Sequence, residues 1–517
     1  LEGHSAAVAD VIQLHNGNIL SWGEDKTLRI WHPDGVPLAT LEGHSAAIAG
    51  VIQLQDGNIL SWSGDSTLRV WHPDGTHIDT LEGHSNSVSG AIQLNDGNIL
   101  SWAAGSRFRA TRENALRLWQ ADGSTITILE RHSSPISGAI QLNDGNILSW
   151  AAGSRFDIRR DSTLRLWQAD GYPITALEGH SDDVDGTIQL NDGSILSWGE
   201  DKTLRIWHPD GSPIAILEGH SDDVDGTIQL KDGNILSWGE DKTLRIWHPD
   251  GSPIAILEGH SSPVNGALQL RDGNILSWSE DKTLRLWQAD GTPIATLNGL
   301  SSSVASAIQL RDGNILSWAG GFESEDQTLR IWHPDGSHIA TLEGHSNSVA
   351  GAIQLRDGNI LSWADDYFLD DARDYTLRLW QAGGSPIATL EGHSGGVAGA
   401  IQLKDGNILS WSGDSTLRLW QPDGSHIAVL EGHSSSVSRT IQLNDGNILS
   451  WSRDSTLCLW QSDGTFISSI SLKGVLDYDF SCIVPYDNHS KLFIGDDNGN
   501  IVLLRYQPEY LAISDGQ

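Results

Sequence analysis

Histidine, serine and aspartate return together along this chain at a spacing that could support covalent catalysis. His4, Ser21 and Asp25 form the first set, His44, Ser61 and Asp65 the second, and His220, Ser237 and Asp241 a later one. An imidazole beside a hydroxyl, oriented by a carboxylate, is the arrangement that activates a serine nucleophile. Yet the set recurs in many equivalent copies and no copy is marked out as catalytic, so no enzyme is expected. The 20 histidines also raise metal binding, but they lack the close His/Cys/Asp clustering of a zinc centre. The loops Asp182-Asp183-x-Asp185 and Asp222-Asp223-x-Asp225 carry the carboxylates that Ca²⁺ takes. They lack the ligand-rich order of an EF-hand, so solvated acidic loops are expected there. Neither a metal nor a cofactor is expected.

The elements that position these residues belong to one repeated unit. Units begin at Leu1, Leu41, Leu81, Leu129, Leu177, Leu217, Leu257, Leu297, Leu342, Leu390 and Leu430, and a degenerate twelfth runs from about Ile470. All 22 tryptophans fall in two columns of this unit, one after a serine (Trp22, Trp62, Trp102) and one closing a Thr-Leu-Arg-Leu-Trp-like strand (Trp31, Trp71, Trp247). So large a side chain at fixed places is architectural. In the first copy Val8 to Leu14 alternates apolar residues, Asn16-Gly17 turns, and Asn18 to Trp22 follows. A polar loop leads to Thr27 to Trp31, Pro33-Asp34-Gly35 turns again, and Val36 to Leu41 closes the unit. Turn residues suited to positive φ between β-branched runs predict four short antiparallel strands. Forty residues cannot bury a core alone, but stacked copies can.

Gly3-His4, Ser21, Asp25-Lys26-Thr27 and the strand ending at Trp31 resemble the pattern of WD-repeat (WD40) β-propellers, in eleven copies. The resemblance implies an all-β array of about twelve four-stranded antiparallel blades. It also implies a hydrogen-bonded tetrad in each blade, as in His4, Ser21, Asp25 and Trp31, in His44, Ser61, Asp65 and Trp71, and in His220, Ser237, Asp241 and Trp247. The tetrad then accounts for the recurring histidines as fasteners. Three features depart from the pattern. The usual Asp after the strand-ending Trp is His (His32, His208) or Gln (Gln120, Gln288), a Trp follows the tetrad serine, and Leu300 replaces the tetrad histidine. The expected division is two consecutive rings, residues 1–296 (units one to seven) and 297–517 (units eight to twelve), with one continuous propeller over 1–517 as the alternative.

A net charge of −35 argues against nucleic-acid backbones and anionic membranes as partners, although Asp-Gly turns supply much of it. Cys458 and Cys482 cannot form a disulfide framework, which suits a reducing, cytoplasmic setting. No apolar run is long enough to span a bilayer, and no signal peptide is expected. The chain starts inside a repeat and has no methionine, so it reads as a piece of a longer protein with upstream domains.

Comparison of the copies separates scaffold from variation. Units five and six differ only at Asn191 against Lys231 and Ser194 against Asn234. Variation gathers after Gly-His-Ser, where Asp182-Asp183 and Asp222-Asp223 stand, and between the second and third strands, where four units carry insertions. Two inserts are basic, with Arg107, Phe108, Arg109 and Arg112 in unit three and Arg155, Phe156, Arg159 and Arg160 in unit four. Two are acidic, with Phe322 and Glu323 in unit eight and Tyr367, Phe368, Asp370 and Asp371 in unit nine. In the resembled family both variable loops share one face. Exposed aromatics among charges are typical anchors of protein interfaces, so a protein partner is expected on that face. Stacking of the Arg-Phe inserts on single-stranded nucleic acid is disfavoured by the overall charge. Similar repeat arrays form the sensor ends of NLR-like or STAND signalling proteins. The alternative is a scaffold that self-associates through its oppositely charged inserts.

Overall fold

The computed structural model describes residues 4–6, 8–32, 36–103, 115–130, 132–134, 136–151, 161–320, 326–364, 374–443, 445–454 and 456–471. It also describes the backbone of strands 480–486, 491–496, 501–507 and 510–513. The described residues form twelve four-stranded sheets, each with its strands in sequential order. Neighbouring strands run antiparallel, as in Val184–Gln189, Ile195–Gly199, Leu204–Trp207 and Pro213–Leu217 of blade five. Among the described residues no helix is long and apolar enough to cross a membrane.

The Asn-Gly and Asp-Gly hairpins form because glycine accepts a left-handed backbone. Gly17 has φ of 88° and donates its N–H to the Leu14 carbonyl at 2.8 Å. Burial falls from the middle of each blade outward. The second strand is almost wholly buried, whereas the fourth exposes side chains such as Ile256, 49% exposed. The fourth strand is an edge, so its outward aliphatics have no neighbouring strand to cover them.

Among the described residues, core layers within each compact unit are shared by two successive sheets. Leu230, Leu236, Leu244, Ile246 and Leu257 of blade six pack with Val264, Ile275 and Trp287 of blade seven. No blade therefore owns a complete core, as expected for stacked repeats. The chain divides into two compact units. One holds Leu1–Gly219, Lys473–Gln507 and Ala512–Gln517; the other holds His220–Leu472 and Pro508–Leu511. They part between Gly219 and His220. Leu297 is 1% exposed, inside a layer shared by blades seven and eight that also takes in Leu300. Within the first unit, the opening strand Val8–Gln13 lies beside the strands Phe480–Tyr486 and Lys491–Asp496 of the last sheet.

Candidate functional site

The tetrad residues sit where the second and third strands meet the loop that enters the blade. In blade seven, His260 Nδ1 lies 2.9 Å from Asp281 Oδ2 and its Nε2 lies 2.9 Å from Ser277 Oγ. Trp287 Nε1 donates to the same Oγ at 3.0 Å. The indole can only donate, and the ionised carboxylate can only accept. Burial holds His260 below the ordinary histidine value and favours the neutral ring; with its proton on Nδ1 facing the carboxylate, Ser277 donates its hydroxyl proton to Nε2. One unbroken donor chain runs from indole to hydroxyl to imidazole to carboxylate. Asp281 also accepts from the backbone N–H groups of Ser261 at 2.8 Å and Thr283 at 3.0 Å. Those bonds hold Lys282 at a positive φ of 71°, unusual for a side chain with a Cβ.

The same contacts join His4 with Asp25 and Ser21, and Trp31 with Ser21. They also join His44 with Asp65 and Ser61, and Trp71 with Ser61. His220 likewise meets Asp241 and Ser237, and Trp247 donates to Ser237. Ser21, Ser61, Ser237 and Ser277 are all 0% exposed. A hydroxyl that no substrate can approach is no nucleophile, so this chemistry is structural. In blade eight, Leu300 occupies the histidine position and is 6% exposed in the core. Asp326 there still accepts from Thr328, and Trp332 still donates to Ser317 at 2.9 Å. Apolar packing replaces one link while the rest of the lock persists.

Two further columns escape a reading of the sequence. The invariant glutamine of the first strand, in Ile-Gln-Leu or, in blade seven, Leu268-Gln269-Leu270, spans neighbouring blades. Gln269 Nε2 donates to the Gly273 carbonyl at 3.0 Å within its own blade, and its Oε1 accepts from Lys231 N at 2.9 Å in the blade before. Gln309 and Gln354 repeat the link to Arg271 and Arg311. Replacing Gln269 by leucine is expected to cost about 1 kcal/mol, because the Lys231 amide is exposed and water can partly replace the bond. A urea midpoint, with hydrogen exchange at the Lys231 amide, would measure it. Unchanged exchange there would argue against the clasp.

The arginine of the third strand is the second column. Arg285 donates to the Gly259 carbonyl at 2.6 Å and to Thr296 Oγ1 at 3.0 Å, which ties the entry loop to the outer strand. In blade eleven Cys458 takes this place, with its Sγ 3.9 Å from His433 Nδ1. Burial, with Asp454 nearby, pushes its thiol up to about 12, so it is a packing residue rather than a reactive thiolate.

The two variable loops of a blade are joined by backbone hydrogen bonds. Glu200 N donates to the Asp183 carbonyl and Glu240 N to the Asp223 carbonyl, both at 3.0 Å. Gly64 N donates to Ala47 O at 3.0 Å and Gly413 N to Gly396 O at 2.9 Å. Sequence change after Gly-His-Ser is therefore displayed beside sequence change between strands two and three. Asp182, Asp222 and Asp223 are half-buried there, and Asp183 is buried. The insert residues Arg107, Phe108, Arg109, Arg112, Arg155, Phe156, Arg159, Arg160, Phe322, Glu323, Tyr367, Phe368, Asp370 and Asp371 lie outside the described residues. Three of the four inserts return to the framework at a buried aspartate. Asp161 and Asp374 bond His132 and His345, while Asp326 bonds the Ser301 amide. Asp161 N is also held by Ser134 Oγ at 3.0 Å.

Three stretches, residues 35–72, 251–288 and 384–421, match the family model described as the WD domain, G-beta repeat. Those three stretches are WD repeats by that match, and each lies within four-stranded blades that carry the tetrad. Similar solved structures include the computationally designed Ika8 protein, at 22% identity and a TM-score of 0.36, covering 64% of this chain and 98% of that one. The WD40 β-propeller domain of Doa1 is 24% identical with a TM-score of 0.30, covering 55% of this chain and 94% of that one. No curated protein matches the sequence.

Proposed function

We propose that this array is a non-catalytic recognition module that binds a protein partner through the face carrying its variable loops and charged inserts. WD-repeat propellers generally mediate protein–protein interaction. The observation that supports this face in particular is the pairing of both variable loops by backbone hydrogen bonds on an otherwise invariant scaffold. A rigid scaffold with variable loops is the general layout of a recognition surface. The Arg-Phe inserts of blades three and four supply anchors, and the acidic inserts of blades eight and nine supply a second pole of opposite charge. A role as the ligand-sensing part of a larger signalling protein extends this reading by analogy with similar repeat arrays.

Replacing Arg107, Phe108, Arg155 and Phe156 together by alanine is expected to abolish partner recovery in a pull-down while far-UV dichroism and the thermal midpoint stay unchanged. Truncating several anchors at once should weaken binding by about 100-fold or more. Full recovery by a folded quadruple variant would reject the face. Self-association through the inserts is the competing reading. It predicts a sedimentation coefficient that falls as salt is raised, whereas partner recognition predicts a monomer at both ionic strengths.

A further inference from the structure

The acidic loop of blade five departs from the solvated loop that its sequence suggests. Asp183 is only 3% exposed, and its Oδ1 meets no hydrogen-bond partner among the described residues. One carboxylate oxygen from each of Asp182, Asp183 and Glu200 lies within 4.8 Å of the other two. A carboxylate taken out of water needs a donor or a cation to remain ionised, and close like charges make that need more acute.

The backbone holds this cluster in place. Asp183 donates its N–H to Asp182 Oδ1 at 2.9 Å, and Glu200 donates its N–H to the Asp183 carbonyl at 3.0 Å. A Cβ on Gly199 would stand 2.1 Å from that carbonyl oxygen, so glycine is what lets the two loops close. Two oxygens on opposite sides of a Ca²⁺ ion, each at about 2.4 Å, stand about 4.8 Å apart. The three carboxylates therefore fit one coordination shell, with water completing it.

We propose that Asp182, Asp183 and Glu200 bind one hard divalent cation of the Ca²⁺ class, which clasps the two variable loops of blade five. Only units five and six combine Asp-Asp after Gly-His-Ser with glutamate before the tetrad aspartate. In blade six Asp222 and Asp223 are both half-buried, and neither has a buried carboxylate oxygen without a partner among the described residues. Burial, together with the charges of Glu240, Asp223 and Asp222, pushes the Asp225 carboxyl up there. That crowding shows how the same residue types repel when they gather. The site is assigned to blade five alone.

The test is calorimetric titration of the chelator-treated full chain with Ca²⁺ alone, alongside Asp183→Asn and Glu200→Gln. Wild type should bind saturably, with Kd of about 10⁻⁴–10⁻³ M for a site of few protein ligands. Asp183→Asn should lose one equivalent, yet its thermal midpoint in chelator should equal or exceed that of wild type, because a buried charge has gone. Glu200→Gln, at a half-exposed position, should weaken binding about tenfold or more, and it carries the test should Asp183→Asn fail to fold. Wild type that takes up no Ca²⁺, or folded variants that bind as many equivalents as tightly, would overturn the assignment.

Discussion

Replacing Trp287 by alanine should destabilise the protein by about 3–5 kcal/mol, the range for removing a large aromatic from a packed core. Trp287 is 1% exposed and belongs to the layer between blades six and seven, so its loss opens a cavity that two sheets share. The substitution also removes the indole donor to Ser277 Oγ, and among the described residues the hydroxyl then keeps its bond to His260. Trp287→Phe separates the two effects. Most of the ring bulk stays and the N–H goes, so the expected cost falls to about 1–2 kcal/mol. Denaturant unfolding of the three proteins would measure both, and hydrogen exchange should rise first in Val264–Gln269 and Ile275–Ser279. An alanine variant within about 0.5 kcal/mol of the parent would place Trp287 among ordinary surface residues.

Acid should destabilise the array in two stages because the tetrad groups whose titration the fold shifts do so with one sign. Burial holds the imidazoles of His44, His132, His260 and His433 below the ordinary histidine value, against the opposing pull of their aspartates. In the unfolded chain these rings protonate near 6.5, so below that pH the unfolded state binds more protons and stability falls. The aspartates act in the same direction at lower pH. Burial pushes Asp25 up, but the hydrogen bond and charge of His4, with the Ser5 and Thr27 amides, outweigh it and bring the carboxyl to about 2. Stability tied to it is complete above about 3.8 and disappears as pH falls toward about 2. Asp161, Asp241, Asp374 and Asp414 are lowered in the same way. Thermal midpoints from pH 8 to pH 3 at constant ionic strength should decline gently below about 6.5 and steeply below about 4. A midpoint that is level or rising between pH 7 and pH 5 would be incompatible with neutral, buried imidazoles.

The blade was legible in the sequence because a few residue types can do only one thing in such places. Tryptophan at fixed positions, Asn-Gly between β-branched runs and the His-Ser-Asp spacing each narrow the local structure. The role of Gln269 was not legible. Its partner, the Lys231 amide, lies 38 residues away in the preceding blade, and nothing in Leu268-Gln269-Leu270 says which backbone group the side chain meets. Leu300 reads as a missing lock, and only the packing around Leu297 and Trp332 shows an apolar substitute. Asp183 reads as one more acid in a hydrophilic loop. Its burial shows only in the fold, since Asp223 of the near-identical sixth unit, with the same close glycine, is half-buried. The paired variable loops were expected from resemblance, whereas the hydrogen bonds that pair them belong to the fold.

Core layers that are half one repeat and half the next have a genetic consequence. Within each compact unit the described repeats present closely similar half-surfaces, so one such unit can follow another without a new interface being invented. Unequal crossover between two copies adds or removes a whole layer already matched on both sides. Loss of part of a unit leaves two halves that do not meet. Selection therefore acts on such a gene in steps of one repeat. The near-identical fifth and sixth units, which differ at two positions, are what a recent step of that kind leaves behind.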